Sequence, residues 1–325
     1  MKEPDFLSVL ASRLSDFLVF RELGGLASTH QIPLLRPFDR FLVREDFHGR
    51  WPIRELLERY AASGTHLQPG TQGHRLGAVR QFCAYLRSFE PECFVQEPEF
   101  ARRKRPLRLP HIYTQDEIRA MLGIARDLPS GGSIRSKTYC TLFGLLYSTG
   151  LRCGEAFGLN LTDVDLGQRL LFISHGKFRK SRWVPIAAST AAVLHCYLQE
   201  RMRVAPAAPD SPFFVTRRGQ RLYHTNVDFA FRWVLKRCGL RGGKGCPGPC
   251  IHHLRHSFAC TRLLAWYHEG RDVQVLLPAL ATYMGHVSVI STQVYLHATA
   301  ELFAAANQRF LEHVRRNISP KGEKT

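Results

Sequence analysis

A tyrosine, two arginines and a late glycine–histidine pair occupy the second half of the chain. Together they form a set for metal-free attack on a phosphodiester. Tyr295 lies in Thr292-Gln293-Val294-Tyr295-Leu296-His297, nine residues (295 − 286) after the histidine of Tyr283-Met284-Gly285-His286. Upstream stand His252-His253-Leu254-Arg255-His256-Ser257-Phe258-Ala259 and Ser148-Thr149-Gly150-Leu151-Arg152-Cys153-Gly154-Glu155. Arginine binds phosphate oxygens through a planar fork of N–H donors. Tyrosine offers a phenolic nucleophile, and histidine moves protons near neutral pH.

Spacing sharpens these roles. Arg152 and Glu155 are one helical turn apart, so the carboxylate could hold the guanidinium in a working rotamer; the ordinary alternative is a surface ion pair. His252 and Arg255 are likewise three apart (255 − 252) and could point at one phosphate, although an isolated pair of this kind is more often structural. His253 and His256 fall at offsets that aim elsewhere and read as packing or supporting residues. Gly285 permits close backbone approach, leaving His286 to donate to a phosphate oxygen. Lys177 sits in a turn, Gly176-Lys177-Phe178-Arg179-Lys180. There it is either merely solvated or a mobile cation within reach of a minor-groove edge or a leaving oxygen.

These residues need elements to position them. The apolar spacing predicts four amphipathic helices in residues 1–100, with stripes Leu7, Leu10, Leu14, Phe17 and Leu18; Leu35, Phe38, Phe41 and Leu42; Ile53, Leu56, Leu57 and Tyr60 after Pro52; and Leu76, Val79, Phe82, Leu86 and Phe89. A proline-bearing basic run follows, with Arg102, Arg103, Lys104, Arg105 and Arg108. It is a solvated linker or a strap along a phosphate backbone, and it marks a boundary. The expected division is a helical bundle at 1–100, a linker at 101–112 and a second domain at 113–325. Thr114 to Glu117 has the form of a capping box. An apolar helix over 138–147 delivers Arg152. Strands are expected at 169–175 and 182–186, and helices at 189–203, 224–238, 253–268 and 272–284. Leu302, Phe303, Ala306, Phe310 and Val314 make a terminal stripe, which folds back on its own domain or docks on a neighbour. The fold class is mainly α with a small antiparallel β-sheet.

Composition bounds the partner. The 325 residues carry 45 Lys+Arg against 27 Asp+Glu, a net charge of +18, and are 45% hydrophobic. That surplus on a chain able to bury two cores favours a polyanion, nucleic acid above all, over a merely soluble basic protein. The nine cysteines are dispersed and odd in number. The first residues lack a signal-peptide pattern, and no apolar run is long enough to span a bilayer. A reduced cytosolic protein with no membrane partner is expected. Cys246 and Cys250, with Cys238 and His253, could hold zinc, but the spacing is poor and a reduced loop is the favoured reading. No carboxylate cluster suits magnesium.

Residues 113–297 resemble the catalytic domain of the tyrosine recombinase/integrase family, of the phage-integrase type. The matching pieces are Thr-Gly-Leu-Arg-Cys-Gly-Glu, the Gly-Lys turn, His-His-Leu-Arg-His-Ser-Phe-Ala, Met-Gly-His and Thr-Gln-Val-Tyr-Leu-His, in the family's order. The first hundred residues resemble the family's core-DNA-binding domain by pattern more than by motif. The resemblance implies that Tyr295 attacks the scissile phosphate, giving a 3′-phosphotyrosine and a free 5′-hydroxyl. It implies that Arg152 and Arg255 hold the non-bridging oxygens, Lys177 protonates the leaving oxygen, and His252 serves the tyrosine hydroxyl. His286 would hydrogen-bond the phosphate, and Glu155 would support Arg152. Neither metal, ATP nor another cofactor is implied. The partner would be a double-stranded DNA recombination site, held by a homo- or hetero-tetramer on paired sites near the nucleoid. Arg102, Arg103, Lys104, Arg105, Arg108, Arg179 and Lys180 are expected on DNA. One departure is the 31-residue interval (286 − 255) between Arg255 and His286, long for the family and similar to recombinases of mobile elements. A type IB topoisomerase and a non-catalytic DNA-binding regulator are the alternatives.

Overall fold

Leucine and phenylalanine at helical spacing pull the first part of the chain into four helices around one apolar core. The computed structural model describes residues 6–26, 28, 30–97, 110–129, 134–174, 181–205, 208, 210–240, 248–286, 288–297 and 299–318; at 297, 300 and 312–318 it describes backbone only. It divides into two compact units, Met1–Arg108 and Leu109–Thr325. The first holds α1 (Ala11–Leu23), α2 (Ile32–Arg44), α3 (Arg54–Ser63) and α4 (Pro69–Arg87). Leu14, Phe17, Leu35, Phe38, Leu57, Phe82 and Leu86 are buried together. Three stripe members fall outside and are exposed: Leu7 precedes α1, Ile53 is the N-cap ahead of α3, and Phe89 follows α4. Pro52 lies two residues ahead of α3 rather than in its first turn. Buried Asp39 fixes the chain before α1 by accepting from the Leu7 and Ser8 amides, each at 2.9 Å.

The second unit begins with α5 (Gln115–Arg126). Its capping box is present: Thr114 Oγ1 accepts from the Glu117 amide at 3.2 Å, and Glu117 Oε2 from the Thr114 amide at 2.9 Å. The apolar α6 (Arg135–Thr149) runs through the core and stops at Gly150, whose φ of 63° is left-handed. The short α7 (Cys153–Gly158) leads to an antiparallel sheet of β1 (Val164–Asp165), β2 (Leu170–Ile173) and β3 (Arg182–Pro185), in the order β1-β2-β3. Leu171 faces Val184, and Ile173 faces Arg182. The two-residue β1 is an addition to the two strands expected. Then come α8 (Ala188–Val204), α9 (His224–Arg237), α10 (His252–His268), α11 (Val273–Met284), α12 (Ile290–Gln293), a 3-10 turn over Val294–His297, and α13 (Ala300–Ile318).

One cluster gathers α5, α6, α8, α9 and the sheet around Leu142, Phe143, Leu194, Val184 and Phe231. Another joins Phe258 and Leu263 of α10, Leu277 and Met284 of α11, Tyr295, and Leu302 of α13. The start of α13 therefore folds back on its own unit, while Phe303 and Phe310 stay exposed. Among the described residues no helix is long and apolar enough to cross a membrane.

Candidate active site

The C-terminal end of α11 is where the site assembles. The last carbonyls of a helix lack intrahelical partners and form the negative end of its dipole. Three guanidiniums meet three successive carbonyls here. Arg182 Nε donates to Tyr283 O at 2.9 Å, Arg255 Nη2 to Met284 O at 2.7 Å, and Arg152 Nη2 to Gly285 O at 2.8 Å. Gly285 turns the chain with φ 70°, a left-handed cap suited to glycine. The next residue, His286, is thereby aimed back at the arginines.

Each arginine arrives from a different element. Arg255, only 2% exposed, lies in the first turn of α10 and also donates to Gly150 O at 2.5 Å, so the end of α6 and the end of α11 share it. Arg152 is the N-cap of α7 and has extended backbone (φ −67°, ψ 144°), so it stands just before a helix rather than within one. Its pairing with Glu155 is present nonetheless. Glu155 Oε1 accepts from Arg152 Nη1 at 2.7 Å, and Oε2 from the Arg152 amide at 3.0 Å. Arg182, at the start of β3, grips the same carboxylate with both arms, Nη1 to Oε1 at 3.1 Å and Nη2 to Oε2 at 2.8 Å.

Electrostatics follow from this crowding. Burial works to raise the Glu155 pKa, but the hydrogen bonds and charge of Arg182, then of Arg152, outweigh it and hold the carboxyl below its usual range. Burial, then the neighbouring Arg152, draws Arg255 down to about 10, still a cation at neutral pH. The Tyr295 side chain is in the second apolar cluster and 4% exposed. Burial raises its pKa, while the adjacent Arg255 guanidinium pulls the other way by charge and hydrogen bonding. His286 is lowered to about 4 by burial and by Arg255, Arg152 and Arg182, so its ring is neutral at pH 7; its Nδ1 meets Thr292 Oγ1 at 2.7 Å. His252, the first residue of α10, is lowered by burial, then Arg255.

Arg152, Arg255, His252, His286, Glu155 and Tyr295 therefore come together. Two residues of the cluster were not singled out by spacing. Arg182 has no sequence relation to Glu155 that pattern could reveal. His256 was expected to aim elsewhere, yet its ring lies 5.2 Å from that of Tyr295 and 5.0 Å from that of His252. The signal was available: His256 is four residues after His252, one turn along the same face. The Tyr295 ring thus has two imidazole neighbours, His256 and a near-parallel His286, 6.1 Å away at 23°. Lys177, Arg179, Lys180, Arg102, Arg103, Lys104, Arg105 and Arg108 lie outside the described residues, as does Cys246. The described residues contain no group of three or more metal-ligating side chains, and the His253 ring accepts from the Cys250 amide at 3.4 Å.

The family model for the phage integrase family matches residues 112–301, which contain this whole cluster. The chain belongs to the phage integrase family. Members are tyrosine recombinases, enzymes that break and rejoin DNA, and this integrase is one of them. It is 33% identical over 304 residues to the integrase/recombinase y4rE of Sinorhizobium fredii, covering 94% of this chain and 96% of that one. It is 36% identical over 224 residues to the tyrosine recombinase XerD of Mycobacterium tuberculosis, with 66% and 67% covered. In fold, the integrase is similar to the XerH site-specific recombinase bound to palindromic difH substrate (TM-score 0.64, 20% identity, 91% of this chain and 84% of that one). It is also similar in fold to the Tn1549 transposon integrase in complex with transposon right end DNA (TM-score 0.64, 17% identity, 92% and 99%).

Proposed function

We propose that this integrase cleaves and rejoins double-stranded DNA at a specific site through a 3′-phosphotyrosine on Tyr295, without metal or ATP. The observation that carries the reading is the convergence of Arg152, Arg255 and His286 on a buried tyrosine. Two guanidiniums beside a tyrosine buried from water supply the positive charge that a pentacoordinate phosphorane needs. The Tyr295 oxygen attacks phosphorus and the bond to the 5′-oxygen breaks. His252 takes the phenolic proton, its lowered pKa keeping it neutral and able to accept. Lys177 returns a proton to the departing 5′-oxygen, and His286 donates to a non-bridging oxygen. The tyrosyl phosphodiester is of the same bond class as the one broken, so reversal by a 5′-hydroxyl needs no energy source.

DNA as substrate is supported by the net charge of +18 and by the neighbours whose structures hold DNA. In the first unit, a recess of about 440 Å³ between α2, α3 and α4 is lined by Arg40, Arg44, Arg75 and His66, cations suited to phosphates. The exposed Phe303 and Phe310 of α13 supply a face for assembly on paired sites as a tetramer. On this reading the integrase works on DNA at the nucleoid, in the cytoplasm.

The test is recombination of a supercoiled plasmid carrying two copies of the site recovered from the DNA flanking the gene, in EDTA and without ATP. Resolved or inverted products are expected. Equal relaxation of a plasmid lacking the site would favour a topoisomerase, and an absolute need for a divalent ion or ATP would contradict the mechanism.

A further inference from the structure

Arg182 holds more of the site than its place on a strand suggests. Its side chain is 12% exposed and that of Glu155 is 7% exposed, so the pair is largely out of water. Three of its nitrogens are engaged at once, two by the Glu155 carboxylate and one by the carbonyl of Tyr283 in the last turn of α11. Both Glu155 oxygens are then shared with Arg152: Oε1 takes Arg152 Nη1, and Oε2 takes the Arg152 backbone amide. A bidentate guanidinium fixes the plane of a carboxylate as well as its position. The plane of Glu155 in turn fixes the rotamer of Arg152, whose remaining arm reaches Gly285 O.

Gly285 closes the circuit. A Cβ there would stand 2.7 Å from Arg182 Nη1, so the guanidinium lies against the bare backbone of the turn that aims His286. Arg182 therefore touches both ends of the arrangement: the carboxylate that orients one phosphate-binding arginine, and the turn that presents the histidine. It is also the first residue of β3, opposite Ile173, five residues (182 − 177) after Lys177.

We infer that Arg182 is a positioning residue for the cleavage reaction: through Glu155 and the Tyr283–Gly285 backbone it sets Arg152 and His286 in the geometry that meets the scissile phosphate. It acts through them, without contact with DNA of its own. The inference rests on the proposed recombinase chemistry. Lysine at this position would keep the charge and lose the fork, so it would hold Glu155 at one point and leave the Tyr283 carbonyl or the carboxylate unserved.

The experiment uses the full chain and a nicked suicide duplex bearing its site, with wild type, Arg182→Lys and Arg182→Ala. Binding, melting temperature and the rate of covalent complex formation are measured for each. A second duplex carries a methylphosphonate at the scissile position, which removes one phosphate charge. Arg182→Ala is expected to bind DNA about as well as wild type and to form the covalent complex about 100-fold more slowly, the scale of a small misplacement of catalytic groups. Arg182→Lys should recover part of that rate. On the methylphosphonate the deficit should narrow, because the misplaced Arg152 has less charge to meet. Three results would overturn the inference: wild-type cleavage by Arg182→Ala, parallel loss of folding, binding and cleavage, or the same deficit on both duplexes. Failure of the wild-type protein to trap would instead remove the recombinase reading, and this inference with it.

Discussion

Tyr295 carries no charge in the DNA-free protein, since burial raises its pKa against the pull of Arg255. Its two aromatic neighbours are neutral too: burial first, then His252, His253 and Arg255 for His256 and the three arginines for His286, bring both to about 4, against an ordinary 6.5. An unfolded chain therefore binds more protons than the folded one between pH 6.5 and about 4, and stability falls as pH falls through that window. The thermal midpoint of the free protein is expected to drop from pH 6.5 towards 4. His256→Phe, which keeps an aromatic ring against Tyr295, should drop less steeply; identical slopes would show that His256 does not resist protonation. Arg255 allows a sharper separation of roles. Arg255→Ala should leave site binding largely intact while covalent cleavage collapses, read by comparing band shift with trapping. Equal loss of both would make it an architectural arginine holding α6 to α11.

At the scale of elements, the end of α11 is the part that other elements are built to hold. Gly285→Ala would place a Cβ in a left-handed conformation and against Arg182. It is expected to cost about 1–2 kcal/mol by urea unfolding and to slow cleavage more than binding. Wild-type stability would contradict that account of the glycine. Much of this scale was legible in the sequence. The helical stripes placed α2 and α4 because their apolar positions repeat within one element, and the capping box of Thr114 and Glu117 is local in the same way. Arg152 was legible as a partner of Glu155, but not as a residue ahead of its helix. Arg182 was not legible: its partners, Glu155 and Tyr283, are 27 and 101 positions away. Only the folded chain brings them together. The strand β1 is two residues long, too short for alternation to show.

The whole molecule is a cation of net charge +18. Its affinity for DNA should fall steeply with salt, by a slope of about 0.9 in log–log terms for each phosphate neutralised. Replacing Arg102, Arg103, Lys104, Arg105 and Arg108 together by glutamine decides between the two readings of the basic run. A strap along the backbone predicts a flatter slope in a salt titration of binding, by about 0.9 per contact removed. An unchanged slope would make the run a solvated linker between the two units. The composition thus announced the class of partner, while the residues of the second unit define what is done to it.

In the proposed reaction Tyr295 stores a DNA break as a covalent bond. The direct measurement is mass spectrometry of the integrase after incubation, in EDTA, with a nicked suicide duplex bearing its own site. The expected product is an oligonucleotide joined through its 3′-phosphate to Tyr295, with a free 5′-hydroxyl on the released strand, and no adduct on Tyr295→Phe despite retained binding. Wild-type protein that binds the site without forming an adduct, or a Tyr295→Phe protein that forms one as well, would contradict it.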